Sequence, residues 1–218
     1  MIIFDCNGVL VDSEAIATTV AAEAFQRAGI NMTQEMVARY FTGRRPADMI
    51  VEVEKAAGVQ LPPKFASVLS AATLVRLSQE VRTIPHVAHA LSWLRGPKCV
   101  ASSSGLDRVK ISLDATELTR FFGGNLFSAN DVANGKPAPD LFLHVASQTG
   151  IQPKDCIVVE DSPAGVSAAV AAGMTAIGFV GGSHVGEDLP GKLEQAGAKA
   201  VIADMRALKA TVTQLRGF

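Results

Sequence analysis

The sequence lacks an excess of charge of either sign, and this lack argues against one class of partner. Its 218 residues contain 20 basic and 21 acidic side chains, which gives a formal net charge of −1 at pH 7. A protein that binds nucleic acid or an anionic membrane needs a positive field to attract phosphate groups. We therefore expect no nucleic-acid partner and no membrane partner.

The sequence also lacks a long apolar run, an internal repeat and any low-complexity segment. A membrane-spanning helix needs roughly 18 or more consecutive apolar residues. Met1 leads directly into a strand-like segment, without a basic leader or a cleavage site. We expect a protein that is neither exported nor inserted in a membrane, and the balanced charge is compatible with a monomer.

Cysteine is scarce, since the chain has only Cys6, Cys99 and Cys156. An odd number cannot pair completely, and each residue lies in or beside an apolar, strand-like run where buried free thiols are common. We therefore predict three free thiols and a reducing, cytoplasmic compartment.

Short apolar runs bounded by Gly, Pro and polar residues predict the strands of a sheet. Between the later runs lie amphipathic segments of helical length, which is typical of an α/β fold with a doubly wound parallel sheet. The runs are "MIIF" from Met1, "KCVAS" ending at Ser102, "NLFSA" around Phe127, "CIVVE" ending at Glu160, "MTAIGFV" from Met174 and "KAVIAD" before Met205.

The stretch from Ser13 to Arg82 has a different pattern, with helical periodicity and no convincing strand. "SEAIATTVAAEAFQRAGI" and "PPKFASVLSAATLVRLSQEV" both carry apolar residues at helical spacing. We therefore predict a small helical cap domain over 13–82, inserted into an α/β core domain formed by 1–12 and 83–218.

Polar residues follow several predicted strands at the point where each strand ends. Asp5 follows the first strand, Ser102 ends "KCVAS", and Glu160 and Asp161 end "CIVVE". Ligands of open parallel sheets bind beyond the carboxyl ends of the strands. These residues, with Lys136 in a Gly-Lys-Pro turn ahead of a predicted helix near Pro139 and Asp140, are the candidate site.

Four segments in chain order resemble the motifs of the haloacid dehalogenase-like hydrolase superfamily. They are "FDCNGVLVDSE" around Asp5, "VASSSG" with Ser102, "GKPAPDLF" with Lys136 and "VVEDSPAGVSAA" with Glu160 and Asp161. Four motifs in the right order are far more specific than one acid-Gly turn. The resemblance covers nearly the whole chain and extends to the sugar-phosphate phosphatase and β-phosphoglucomutase branch, which has a helical cap.

The resemblance implies Mg²⁺-dependent phosphatase activity on a small phosphorylated metabolite: a sugar, sugar-acid or polyol phosphate. Asp5 matches the nucleophile that forms an aspartyl-phosphate, Ser102 the hydroxyl that binds the phosphoryl group, and Lys136 the neutralising ammonium. Phosphoryl transfer depends on positioning and charge neutralisation, which these groups can supply. Taken alone, each residue would equally suit a structural role.

The resemblance also implies a set of metal ligands. Asp5, the backbone carbonyl of Asn7 and Asp161 match direct ligands of Mg²⁺, and Glu160 matches a ligand that acts directly or through water. Oxygen ligands of this kind suit a hard cation.

Asn7 departs from the family pattern, which has a second Asp two residues after the nucleophile. That Asp protonates the leaving alcohol and then deprotonates the attacking water, whereas an amide cannot exchange a proton at neutral pH. General acid–base help worth about 10²–10⁴-fold should then be missing. Three explanations stay open: an engineered Asp→Asn change in a phosphatase, a natural protein of low activity, or a different chemistry. We favour the first.

A phosphosugar mutase and a phosphometabolite-binding protein without turnover are the alternative functions. The mutase branch carries a His twelve residues after the nucleophile, where this chain has Ala17. Within "YFTGRRPADM", which resembles the cap loop that selects substrate, Arg44 and Arg45 are candidates for binding a carboxylate or a second phosphate. Ser103 is a further candidate for binding substrate.

Overall fold

The computed structural model describes residues 1–41 and 46–217, which form a parallel sheet with helices on both faces. The strands are β1 (Ile2–Phe4), β2 (Val11–Asp12), β3 (Arg82–Thr83), β4 (Lys98–Ser102), β5 (Leu126–Ser128), β6 (Ile157–Glu160), β7 (Thr175–Phe179) and β8 (Ala200–Ile202). The helices are α1 (Glu14–Arg27), α2 (Gln34–Phe41), α3 (Pro46–Ala57), α4 (Phe65–Glu80), α5 (Val87–Trp93), α6 (Leu106–Ala115), α7 (Asp140–Thr149), α8 (Pro163–Ala171), α9 (Leu189–Gln195) and α10 (Leu208–Leu215). The predicted α/β class is confirmed.

The order of the strands determines where a ligand can bind. The six parallel strands lie in the order β5-β4-β1-β6-β7-β8, so the chain fills one side of β1 and then returns to its other side with β6. Ile2 pairs with Ile157 and Phe4 with Val159, which fixes β1 beside β6. Ligands bind where the strand order of such a sheet reverses, and that point lies between β1 and β6.

Both faces of the sheet are buried, which explains why its strands are continuous apolar runs. Side chains alternate along a strand, so Ile2 and Phe4 of β1 join the apolar cluster on one face and Ile3 joins the cluster on the other. The first cluster includes residues of α5, α6 and α10, and the second includes residues of α7, α8 and α9.

Helices α1 to α4, which we call the helical segment, pack around a third apolar cluster of their own. In it the rings of Phe25 and Phe65 lie 5.1 Å apart between centroids. The chain enters and leaves this segment through β2 and β3, where Val11 pairs with Thr83 in antiparallel fashion. This ribbon is absent from the sequence predictions because each strand has only two residues. The division into core and cap domains remains our proposal.

Cys6, Cys99 and Cys156 are free and buried, as the sequence predicts. Burial raises the pKa of the Cys6 and Cys99 thiols, which keeps them protonated and unreactive at neutral pH. Among the described residues, no helix combines the length and the apolar character that crossing a membrane requires.

Candidate active site

Asp5 is the first residue after β1 and lies at the point where the strand order reverses. Its backbone N–H donates to the carbonyl of Val159 on the neighbouring strand at 3.0 Å, and only 6% of the residue is exposed. The chain then turns at Gly8, whose φ of +77° suits glycine. The sheet therefore holds a carboxylate rigidly at the expected ligand site.

Lys136 reaches this carboxylate from the loop before α7. Its Nζ donates to Asp5 Oδ1 at 2.6 Å, to the carbonyl of Ala101 at 3.2 Å, and to Glu160 Oε1. Burial alone would lower the pKa of Lys136, but the carboxylates of Asp5 and Glu160 outweigh it, so the pKa is raised. Lys136 is thus a fixed positive charge between two acids.

The carboxyl groups at this site have too few positively charged neighbours to offset the effect of burial on their pKa values. Burial raises the pKa of Asp5 to about 8, with Glu160 and Asp161 adding to the rise and Lys136 opposing it. Burial likewise raises the pKa of Asp161 to about 6, although its hydrogen bond with His184 opposes the rise. Buried acids that face too little positive charge are suited to binding a cation.

Glu160 is 1% exposed, and both of its carboxylate oxygens contact protein groups. Oε1 accepts from Lys136, while Oε2 accepts from the Ser162 hydroxyl at 2.9 Å and from the Ser162 backbone N–H at 3.3 Å. Gly165 leaves the necessary room, because a Cβ there would lie 2.0 Å from the Glu160 carboxyl carbon. This arrangement fits a residue that orients Lys136.

Asp161 lies over the turn that follows Asn7. A Cβ on Gly8 would lie 1.9 Å from Asp161 Oδ2, so the carboxylate occupies space that only a glycine leaves open. The same oxygen lies 2.9 Å from His184 Nε2. The residues expected to supply oxygen ligands are thereby brought to one end of the sheet.

The side chain of Asn7 is held by two hydroxyl groups. Its Nδ2 donates to Ser104 Oγ at 2.9 Å, and its Oδ1 accepts from Ser13 Oγ at 2.8 Å. Ser13 is fully buried, so this network is part of the interior. It holds the amide in place, but an amide nitrogen cannot take up a proton at neutral pH.

Ser102 ends β4 and is fully buried. Its Oγ accepts from the Ser104 backbone N–H at 3.1 Å, which leaves the hydroxyl hydrogen available for a ligand. Ser103 is half-buried on the same turn. Arg44 and Arg45, the other candidates for binding substrate, lie outside the described residues.

The oxygen donors fit Mg²⁺ better than a softer metal. The part of the chain that the structure describes has no group of three or more His, Cys, Asp or Glu side chains that could hold a metal ion. Two carboxylates and one backbone carbonyl, from Asp5, Asp161 and Asn7, are a smaller set, which Mg²⁺ accepts because it keeps several waters. Their unmet negative charge fits a divalent cation.

Sequence reasoning missed His184 and Arg108. His184 follows β7 and reaches Asp161, and the rule that polar groups beyond strand ends form the site would have found it in "FVGGSH". Arg108 Nη2 lies 3.6 Å from Glu14 Oε1, and this pair joins α6 to the helical segment. No local pattern in the sequence links Arg108 with Glu14.

A protein-family model described as "haloacid dehalogenase-like hydrolase" matches residues 1–173. The chain therefore belongs to the haloacid dehalogenase-like hydrolases, and the resemblance seen in the four motifs is confirmed. Among curated proteins, the 6-phosphogluconate phosphatase of Escherichia coli (strain K12) is 32% identical over 184 residues, which cover 84% of this chain and 83% of that protein.

Two solved structures have a similar fold over nearly the full chain. A haloacid dehalogenase-like protein of unknown function from Agrobacterium tumefaciens str. C58 is 37% identical with a TM-score of 0.84, covering 99% of this chain and 98% of that one. A hydrolase from Deinococcus radiodurans R1, solved with bound phosphate and sodium, is 31% identical with a TM-score of 0.78, covering 98% and 94%.

Proposed function

We propose that this hydrolase is a Mg²⁺-dependent phosphatase that hydrolyses a small phosphorylated metabolite through an aspartyl-phosphate on Asp5. The observation that carries the proposal is the buried carboxylate of Asp5 at the reversal of strand order, 2.6 Å from the Lys136 ammonium. The name of the E. coli relative, a phosphatase of a sugar-acid phosphate, supports the substrate class. Sugar, sugar-acid and polyol phosphates all belong to this class.

The reaction has two displacements at phosphorus. The Asp5 carboxylate attacks phosphorus, the bond to the leaving oxygen breaks, and the leaving alkoxide takes up a proton from solvent, because Asn7 cannot donate one. Water then attacks the aspartyl-phosphate and loses a proton to solvent, which releases phosphate and regenerates the Asp5 carboxylate. Lys136 and the Ser102 hydroxyl neutralise and orient the phosphoryl oxygens in both steps.

Asp5, the backbone carbonyl of Asn7 and Asp161 would hold Mg²⁺. When bound, this ion supplies positive charge that favours the ionised form of Asp5 and stabilises the transferring phosphoryl group. Glu160 already contacts Lys136 and Ser162 with its two oxygens. We therefore assign Glu160 the role of holding Lys136 in place, with any contact to the ion made through water.

Asn7 makes the proposed enzyme slow. It lies in the position of the family's acid–base Asp, and its amide donates to Ser104 while accepting from Ser13. Without proton transfer at this position, both displacements are slower by about 10²–10⁴-fold. The same hydrogen bonds favour a folded, well-ordered site with impaired chemistry.

The test is phosphate release from a panel of sugar, sugar-acid and polyol phosphates, measured with Mg²⁺ and with a chelator. The chain and its Asn7→Asp variant are compared, and we expect the variant to be faster by about 10²–10⁴-fold with at least one substrate. The control is Asp5→Asn in the Asn7→Asp background, which should release no phosphate. Failure of Asn7→Asp to release phosphate from any substrate would contradict the proposal.

Product analysis and melting temperatures measured with the same panel separate the two alternative functions. A phosphosugar mutase would convert one phosphosugar into its isomer without net release of phosphate. A binding protein would be stabilised by a phosphosugar and would release nothing even as Asn7→Asp. Ala17 on α1 has no proton to transfer, which favours hydrolysis over the mutase reaction.

A further inference from the structure

His184 lies in the loop after β7, one strand away from the carboxylates it approaches. Its Nε2 lies 2.9 Å from Asp161 Oδ2, and only 15% of its side chain is exposed. The neighbouring Ser183 ties the same loop to strand β2, since its Oγ donates to Asp12 Oδ1 at 2.7 Å. The loop is thus fixed at two adjacent residues.

Two glycines make room for the imidazole ring. A Cβ on Gly8 would lie 2.7 Å from His184 Cε1, and a Cβ on Gly182 would lie 2.8 Å from both Cε1 and Nδ1. A Cβ on Gly182 would also lie 3.2 Å from the Gly8 carbonyl oxygen. Because contacts below 3.0 Å are too close for a real Cβ, a larger residue at either position would force the imidazole ring to shift.

We infer that His184 is a positioning residue for Asp161, holding Oδ2 of that carboxylate so that Oδ1 is the oxygen left for a cation. The inference rests on the proposed function, in which Asp161 binds Mg²⁺. Ligating carboxylates are commonly held by a second hydrogen bond, and removing such a partner typically lowers metal affinity by about 10–100-fold. His184 does not touch the substrate or the ion in this role.

The geometry supports a specific hydrogen bond and not merely a ring that fills space. Nε2 carries a hydrogen in the neutral tautomer that donates to Asp161 and also in the protonated ring, so the contact forms in either state. Asp161 is 9% exposed, so the loss of this donor could not easily be replaced by bulk water. Space filling alone would make any residue of similar volume equivalent at position 184.

The test measures Mg²⁺ binding to the full chain by isothermal titration calorimetry without substrate. His184→Leu removes the donor, and we expect its Mg²⁺ affinity to fall by about 10–100-fold. His184→Gln places an amide N–H near the position of Nε2 and should recover most of the affinity. His184→Asn has the same chemistry but a shorter reach, and should bind as weakly as His184→Leu.

Two further variants make the outcomes distinguishable. Ser183→Ala loses the contact with Asp12 but not the one with Asp161, so it should bind Mg²⁺ as the unaltered chain does. Asp161→Asn tests the proposed function itself. If Asp161→Asn binds Mg²⁺ with unaltered affinity, the proposed metal role fails and this inference fails with it.

If Asp161→Asn loses binding while His184→Leu keeps it, only the inference about His184 is overturned. Should His184→Leu fail to fold, the comparison of His184→Gln with His184→Asn tests the inference instead. Tight binding by His184→Gln and weak binding by His184→Asn supports positioning through Nε2. Equal affinity in these two variants, whether high or low, overturns it, because the reach of the donor would then not matter.

Discussion

The carboxyl end of the sheet and the helical segment are stabilised by opposite kinds of contact. At the sheet end, four ionisable side chains are almost completely buried: Asp5, Lys136, Glu160 and Asp161. In the helical segment, the interior is an apolar cluster around Phe25 and contains mostly Val, Leu, Ala, Met and Phe. One region concentrates charge, and the other excludes it.

Buried charge and apolar packing are therefore concentrated in separate parts of the chain. Buried like charges at the sheet end repel one another, so that region is suited to binding a cation and an anionic phosphoryl group at some loss of stability. Among its described residues the helical segment buries no charged side chain, and we propose that its two crossings at β2 and β3 act as hinges. We therefore expect substitutions at the sheet end to change chemistry and those in the helical segment to change stability.

The largest predicted effect is the accumulation of phosphoenzyme that Asn7 causes when the leaving group needs no proton. With nitrophenyl phosphate the first displacement is largely spared, whereas the second is slowed by about 10²–10⁴-fold, so phosphoenzyme accumulates. We expect a burst of nitrophenol near one equivalent of enzyme, together with a mass increase on the peptide that contains Asp5. Stopped-flow absorbance and peptide mass spectrometry measure the two.

The control for the burst is Asn7→Asp, which should turn over steadily without accumulating phosphoenzyme. The pair Asn7-Gly8 is prone to deamidation, so the mass of the protein must be checked before each assay. Steady turnover without a burst, from material verified to contain Asn7, would mean that another group transfers the proton.

A second test removes the positive charge from the sheet end. Lys136→Met should lower the rate of phosphoenzyme formation by about 10²–10³-fold, since a preorganised donor to the phosphoryl group is lost. Lys154→Met is the matched control, because that lysine is exposed and belongs to a turn before β6. Equal rates in the two variants would show that the charge of Lys136 is not used.

A third test disrupts the apolar cluster of the helical segment. Phe25 is fully buried against Phe65, so Phe25→Ala should destabilise the helical segment by about 3–5 kcal/mol. Amide hydrogen exchange should rise in α1 and α4 and change little in β1 and β6. The exposed Val75→Ala on α4 should have a small effect, within about 0.5 kcal/mol.

A uniform rise in exchange over both regions would contradict the proposed division into a core domain and a cap domain. A rise in exchange that is confined to the helical segment would support domain boundaries near residues 12 and 83. The rate of the burst with nitrophenyl phosphate gives a second measure, since damage limited to the helices should leave the charged residues of the sheet end in place.

The smallest effect concerns the stability of the sheet end without metal. In the folded protein burial raises the pKa of Asp5 to about 8, above its ordinary value of 3.8, so the folded state holds this proton more tightly. Stability should therefore fall as pH rises from about 4 to about 8. Asp5→Asn removes this loss, so its melting temperature with a chelator should exceed that of the unaltered chain by more at pH 8 than at pH 5.

A difference in melting temperature that is the same at both pH values would mean that Asp5 is already ionised in the metal-free protein. Val75→Ala serves as the control, since it removes an exposed apolar side chain and no ionisable group. Its effect on melting temperature should be the same at both pH values.

Local sequence patterns predict the α/β class, the six sheet strands and the end of the sheet that carries Asp5, Lys136 and Asp161. These predictions succeed because strand periodicity, turn residues and helix starts are local properties of the chain. The carboxyl ends of parallel strands also share one edge of the sheet, so residues that end different strands can be expected to meet there. Three of the four family motifs lie on these same strand ends, and the one that contains Lys136 lies just before α7.

The contacts between these groups follow from the three-dimensional packing of the chain and not from its local patterns. His184 reaches Asp161 because Gly8 and Gly182 let two loops from different strands approach closely. The strand-end rule can mark His184 as a candidate, but no local pattern encodes its contact with Asp161. The contact between Lys136 and Glu160 Oε1 likewise joins residues far apart in the chain, whereas Glu160 Oε2 contacts its near neighbour Ser162. Such contacts depend on strand order and packing, which join residues far apart in the chain, whereas periodicity and turn propensity report only on neighbours.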